Sequence, residues 1–227
     1  MTRVRRLALL GLLAALPGCA ATTGHHPPAA SSPTASAAAL PAEWSLHEDA
    51  PQGFSLALPD AWDVATRDSP TLDADLQALR ARRPELARYF TDGFTINDQL
   101  RMIAADSRSL NAGYAVNAHV NAGDLGSTAA APSLDEVVKA RLTRLARQRE
   151  VTQPVHRTST HLAGQTAAQL EYTLATPTAK VTVRSYLITV DRAGRRRLYE
   201  LTIGQPADAG RGALDDIARL FALFPPS

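Results

Sequence analysis

The stretch HRTSTHLAGQTAAQLEYTLATPTAKVTVRSYLITVDRAGRRRLYELTIG, residues 156–204, decides the fold. Runs at about 154–162, 166–175, 179–190 and 197–204 are rich in Thr, Val, Ile, Tyr and Leu and read as β-strands. Gly164-Gln165 and Asp191-Arg192-Ala193-Gly194 are the turn segments between them. Connections this short join antiparallel neighbours, because a parallel pair needs a crossover of a dozen residues or more. The stretch therefore predicts an antiparallel meander.

Working upstream, Leu134 to Arg149 reads as the clearest helix, opened by Ser133 and Glu136 in capping-box spacing. Leu134, Val137, Val138, Leu142 and Leu145 share one face, which predicts that this helix lies on the sheet. Before it, Leu100 to Ala105 and Gly113 to Asn121 read as strands. From Ser69 the apolar period is helical through Leu72, Leu76, Leu79, Leu86 and Phe90, with Ser69 as N-cap, Pro70 first inside, Pro84 as a break and Gly93 as the terminator. Two short strands open the domain, the second alternating through Phe54, Leu56 and Leu58 before Pro59, and Trp62 follows as a core aromatic. A helix from about Asp208, striped by Leu214, Ile217, Leu220, Phe221 and Phe224, closes the chain. Hairpin strands in sequence with helices outside them define an α+β domain, an antiparallel β-sheet with helices packed on its faces. Its core is expected to draw on Phe54, Leu142, Tyr172 and Phe221 besides Trp62.

Three segments carry a family likeness. They are Gly53-Phe54-Ser55-Leu56 through Pro59 and Trp62, Ala163-Gly164-Gln165-Thr166-Ala167 leading into Leu170-Glu171-Tyr172, and the Tyr199-Leu201-Thr202 strand before a final helix. In this order they resemble the PsbP-like superfamily, nearest to the LpqN/LpqT-type lipoproteins of actinobacteria. The resemblance implies a PsbP-like α/β/α sandwich and a membership of binding, assembly and adaptor proteins. It transfers no ligand-binding residue, and partner identity does not follow from the fold.

The N-terminus supplies an address. Arg3, Arg5 and Arg6 precede an apolar run from Leu7 to Leu16, and the one cysteine of the chain, Cys19, follows in Leu16-Pro17-Gly18-Cys19. The run falls short of the about 20 apolar residues that span a bilayer, so it reads as a removable signal. Leu16-Pro17-Gly18-Cys19 resembles a bacterial lipobox, with Pro17 a departure from the usual pattern, and Cys19 is the predicted lipidation site. Residues 1–18 are thus a lipoprotein signal peptide, 19–42 a disordered Ala/Pro/Ser/Thr-rich tether, and 43–227 a single domain. A flexible tether of that length holds the domain on the order of 25 Å from the membrane.

Charge excludes one class of partner. The whole chain carries +2, but the signal holds three arginines and no acid, which leaves −1 on the rest. No basic nucleic-acid footprint remains. Lys139 and Lys180 are the only lysines, and the arginine and alanine bias suggests a GC-rich genome, with an actinobacterium as the expected source.

Enzyme chemistry has no frame in the sequence. There is no Gly-x-Ser-x-Gly elbow, Ser-x-x-Lys, His-Glu-x-x-His or phosphate loop. His47, His119, His156 and His161 are read as scattered, and Asp73/Asp75 and Asp215/Asp216 as helix-terminal acids favoured by the dipole. His25 and His26 are adjacent imidazoles without further ligands, so no metal is expected. Arg195, Arg196 and Arg197 form the densest basic cluster and are the candidate partner contact. The expectation is an exported, lipid-anchored, non-catalytic binding or adaptor module, monomeric, without cofactor, engaging an envelope protein on the outer face of the cell membrane. A carrier of a lipid or small hydrophobic ligand is the alternative, which a large apolar cavity between sheet and helices would favour.

Overall fold

The computed structural model describes residues 40–112, 114–152, 155–209 and 212–225. The signal, Cys19, His25, His26 and nearly all of the tether lie outside the described residues. Strands β1 (Trp44–Asp49), β2 (Phe54–Pro59) and β3 (Asp63–Thr66) are followed by helices α1 (Leu72–Arg82) and α2 (Pro84–Ile96). Next come β4 (Leu100–Ala105), a 3₁₀ turn at Ser107–Ala112, β5 (Asn117–Ser127) and α3 (Leu134–Leu145). The meander β6 (His156–Leu162), β7 (Gln165–Ala175), β8 (Lys180–Arg192) and β9 (Arg195–Pro206) leads to α4 (Gly212–Arg219) and β10 (Phe221–Leu223). No helix among the described residues is long and apolar enough to cross a membrane.

Seven strands form an antiparallel sheet in the order β3-β4-β5-β9-β8-β7-β6, and three form a smaller one, β1-β2-β10. The large sheet is two meanders joined where β9 pairs β5, with α3 as the connection from β5 to β6. Side-chain alternation sorts its two faces. Met102, Ala104, Val120, Ile188, Tyr199, Leu201 and Ile203 pack with Phe54, Leu56 and Leu58 of the small sheet and with Ile217 and Phe221. On the opposite face Ile103 and Ala105 pack under α1 and α2 with Leu79, Leu86 and Phe90, while Leu170, Tyr172, Val183 and Leu187 pack under α3 with Val138 and Leu145. Phe54 meets the Tyr199 ring edge-on at 6.4 Å and lies 5.9 Å from Phe221.

Several boundaries differ from the sequence reading, each for a physical reason. Gly93 sits inside α2, where a Cβ would come within 3.1 Å of Leu100 Cδ2; close approach of helix and strand, not termination, explains the glycine. Helix α1 starts at Leu72 after Thr71, whose Oγ1 donates to Asp75 at 2.7 Å, and Ser69 lies two residues outside. Phe221, expected on the closing helix, belongs to β10 opposite Leu56, so its stripe is completed by a strand and not by a further turn. The hairpin turns are Ala163-Gly164 and Ala193-Gly194, all four at positive φ, so β7 and β9 begin immediately after them. β5 starts at Asn117 and α3 stops at Leu145, while the four-residue β3 carries too little pattern to be read. Trp62 is partly buried against the cluster between the sheets, whereas Phe54, Tyr172 and Phe221 are fully in the core.

Candidate functional site

The capping box at Ser133 and Glu136 fixes the start of α3: Glu136 N–H donates to Ser133 Oγ at 3.3 Å, and Ser133 N–H to Glu136 Oε2 at 2.8 Å. From there the helical period places Arg141 between Val138 and Leu145 on the buried side. Across from it, Glu200 of β9 shares a sheet face with His119, Asn121, Thr202, Ser185 and Leu187 through the strand register. Arg141 Nη2 donates to Glu200 Oε1 at 2.5 Å, with 6 % of Arg141 and 7 % of Glu200 exposed. Thr202 Oγ1 donates to Glu200 Oε1 at 3.4 Å and lies 2.9 Å from Ser185 Oγ.

This polar strip lies between the two apolar clusters under the helices, and its members Glu200 and Leu187 line a cleft of about 140 Å³ beside α3. Arg141, Arg144, Gln99, Glu136 and Glu200 supply its polar lining, while Leu125, Val137, Leu187 and Leu198 are among its apolar walls. Leu125 enters the wall as the extra residue of a bulge between Asp124 and Gly126. His119, on the same strip, keeps some surface, yet burial pulls its pKa down to about 4; Arg141 reinforces the shift and Glu200 opposes it. Its imidazole makes no hydrogen bond among the described residues. Burial raises the Tyr172 hydroxyl to about 12, and burial together with Arg141 lowers Arg144.

A second cleft, of about 360 Å³, opens between β1, β3 and α1 and is lined by Ser45, His47, Asp60, Trp62, Asp63 and Arg82 among others. Ser45 Oγ donates to Asp60 Oδ1 at 2.5 Å, and Arg82 pairs with Asp63 at 3.1 Å. Burial lowers the His47 pKa against the attraction of Asp60.

The arginine cluster lies at the start of β9, beyond the turn. Arg195 pairs with Asp124 at 2.5 Å and keeps 60 % of its side chain exposed. Arg196 grips both oxygens of Asp191 at 2.7 and 2.9 Å and donates to the carbonyls of Ala131 and Pro132. Arg197, on the opposite face, donates to Gln52 Oε1 and stacks over Tyr199 at 5.8 Å. The histidines are not brought together. His156 and His161 lie on the edge strand β6, and β5 with His119 is four strand spacings away, roughly 19 Å. Asp215 pairs with Arg184 and Asp216 with Arg219, while Asp73 and Asp75 occupy the first turn of α1. Among the described residues no group of three His, Cys, Asp or Glu side chains is placed to hold a metal.

Arg141 did not stand out in the sequence because it is one of four arginines between residues 141 and 149, of which Arg144 shares α3 and Arg147 and Arg149 follow it, and Glu200 sits in an otherwise apolar strand run. The available signal was position: Arg141 falls within the Val138–Leu145 stripe, and the other arginines do not.

An antiparallel seven-strand sheet with α1, α2 and α3 on one face and the small sheet with α4 on the other is an α+β fold. It resembles that of LpqN from Mycobacterium tuberculosis, a protein described as involved in cell envelope biogenesis, with a TM-score of 0.53 at 13% identity over 80% of this chain and 91% of that one. The solution structure of cyanobacterial PsbP (CyanoP) from Synechocystis sp. PCC 6803 gives a TM-score of 0.49 at 13% identity, covering 82% of this chain and 95% of that one. No family model and no curated protein matches the chain.

Proposed function

We propose that this protein is exported, held on the outer face of the cell membrane by acylation of Cys19, and acts there as a binding or adaptor module with no turnover of its own. The observation that carries the reading is the division of the chain. A signal-like segment ends in the lone Cys19, an uncharged linker follows, and the first strand among the described residues begins at Trp44. The description of LpqN, which shares the fold, agrees with an envelope role.

Two features favour binding over turnover. The space between the sheets is filled by Phe54, Leu58, Tyr199 and Leu201, which also favours recognition at clefts and surfaces over carriage of a lipid between layers. His119, with a pKa of about 4, is a weak base at neutral pH. Of the arginine cluster, Arg195 is the side chain we assign to partner contact, since Arg196 and Arg197 are turned into contacts within the fold. In-cell crosslinking from the wild type and from Arg195→Ala tests this. A reproducible adduct with an envelope protein, weakened in the variant, is the predicted outcome. Hydrolysis of an envelope substrate by the purified protein, abolished by His119→Ala, would overturn it.

A further inference from the structure

The outward flank of α3 and the turn that follows it carry basic side chains that the fold does not use. Lys139 and Arg147 are exposed and Arg144 is half-buried, and with Glu136, Ala140 and Thr143 they line one shallow, open groove. None of the three cations makes an ion pair among the described residues. Glu136 counts against them, since hydrogen bonds from Ser133 N–H and Oγ keep its carboxyl ionised. Three positive charges against one leave a surplus of two. The surroundings do not consume it: Arg141 is matched by Glu200, Arg157 by Asp135 and Arg196 by Asp191, and Arg149 and Glu150 cancel. The chain beyond the signal carries −1 in all, so this flank is a positive pole on an otherwise negative molecule.

We propose that the tethered domain turns this flank to an anionic lipid surface, with Lys139, Arg144 and Arg147 against the headgroups. The inference rests on the reading of Cys19 as the membrane anchor. The groove is shallow and its uncharged lining is Ala140 and Thr143, so it suits a plane of charge and offers no slot for an inserted hydrocarbon chain. Each basic side chain near an anionic leaflet adds only about fivefold in affinity, too little to hold a free domain. A tether supplies the missing concentration, so a weak attraction is enough to orient what it holds. The linker enters at β1, on the layer opposite α3. Its two dozen residues extend to roughly 80 Å, about twice the width of a domain of this size, and so reach past it.

The two lysines of the chain make the test internal. Lys139 lies on the flank, whereas Lys180 is exposed on the other face of the large sheet, since its neighbours Val181 and Val183 pack under α3. The mature chain from Cys19, which holds every described element, is coupled through that thiol to a maleimide lipid in vesicles, and acetylation of each lysine is timed by mass spectrometry. Replacing about a third of the phosphatidylcholine by phosphatidylglycerol is predicted to lower the Lys139/Lys180 rate ratio at least about fivefold. About 0.5 M salt, which shortens screening to about 4 Å, restores the ratio. Arg144→Gln with Arg147→Gln is predicted to lose most of the effect, whereas Arg108→Gln with Arg219→Gln, the same charge change on exposed arginines elsewhere, keeps it. A ratio indifferent to phosphatidylglycerol, or equal losses in the two double variants, overturns the proposal. So does equal protection of Lys139 by soluble polyglutamate on phosphatidylcholine vesicles, which would assign the flank to an acidic polypeptide. The coupling supplies an anchor whether or not cells acylate Cys19, so failure here is distinct from failure of the anchor reading.

Discussion

Arg141 and Glu200 are the pair on which the interior under α3 depends. Removing Arg141 alone leaves a carboxylate buried without its counter-ion, so Arg141→Ala is predicted to cost about 3–5 kcal/mol in urea unfolding. The double change Arg141→Met with Glu200→Leu is predicted to recover most of that loss, because it removes both desolvated charges together. His119 makes the same interior sensitive to acid. Its pKa lies at about 4 in the fold against 6.5 unperturbed, so between those values the unfolded chain binds the proton and the folded one does not. Stability is unaffected by this group above about pH 6.5 and falls as the pH drops towards 4, the loss reaching about 2–3 kcal/mol at pH 4.5. Comparing unfolding midpoints of the wild type and His119→Gln at pH 7.5 and 4.5 checks this; parallel losses in both proteins would rule it out. Residue identity in the sequence showed these groups but not their burial. Alternation put Glu200 opposite Tyr199 and Leu201, and only the docking of α3 reveals that this second face is interior as well.

The elements were legible wherever a local signal dictated them. The capping box at Ser133 and Glu136 forms as its spacing demands, and Ser133→Ala is predicted to cost about 1 kcal/mol by thermal or urea unfolding. Both tight hairpins were visible through Gly164 and Gly194, but the turn lies one residue earlier than Gly164-Gln165 because the two-residue loop needs positive φ at both central positions. That need places Ala163 at φ 50° and Ala193 at φ 49°, conformations in which a Cβ is disfavoured and asparagine is tolerated. Ala163→Asn and Ala193→Asn are each predicted to raise stability by about 0.5–1 kcal/mol; a loss at either site would contradict the turn geometry. Signals that depend on tertiary context went unread. Gly93 carries the mark of a helix terminator and is instead a packing glycine. Phe221 fits a helical stripe but instead pairs with Leu56 on the free edge of β2.

For the molecule as a whole, the joining of two sheets is the feature the sequence did not display, since its bonds run between residues far apart in the chain. Arg101, the bulged residue of β4, pairs with Asp49 at 3.2 Å and with Asp68, and Tyr199 Oη donates to the carbonyl of Gln52 at 2.7 Å. Burial raises the Asp49 pKa and Arg101 opposes it, which ties the end of β1 to the large sheet. These links and the shared core make the two sheets one cooperative unit, so a chain from residue 43 onward is predicted to unfold in a single transition by circular dichroism and by tryptophan fluorescence alike. Non-coincident curves would show that the small sheet melts alone. What the fold leaves to the N-terminus is the address, and the functional account rests on it. Intact mass spectrometry of the protein extracted from membranes of its host reads that address directly. A mature chain that begins at Cys19 and carries acyl groups is the predicted result; a chain that retains Met1, or one cut elsewhere with a free Cys19 thiol, would contradict the account.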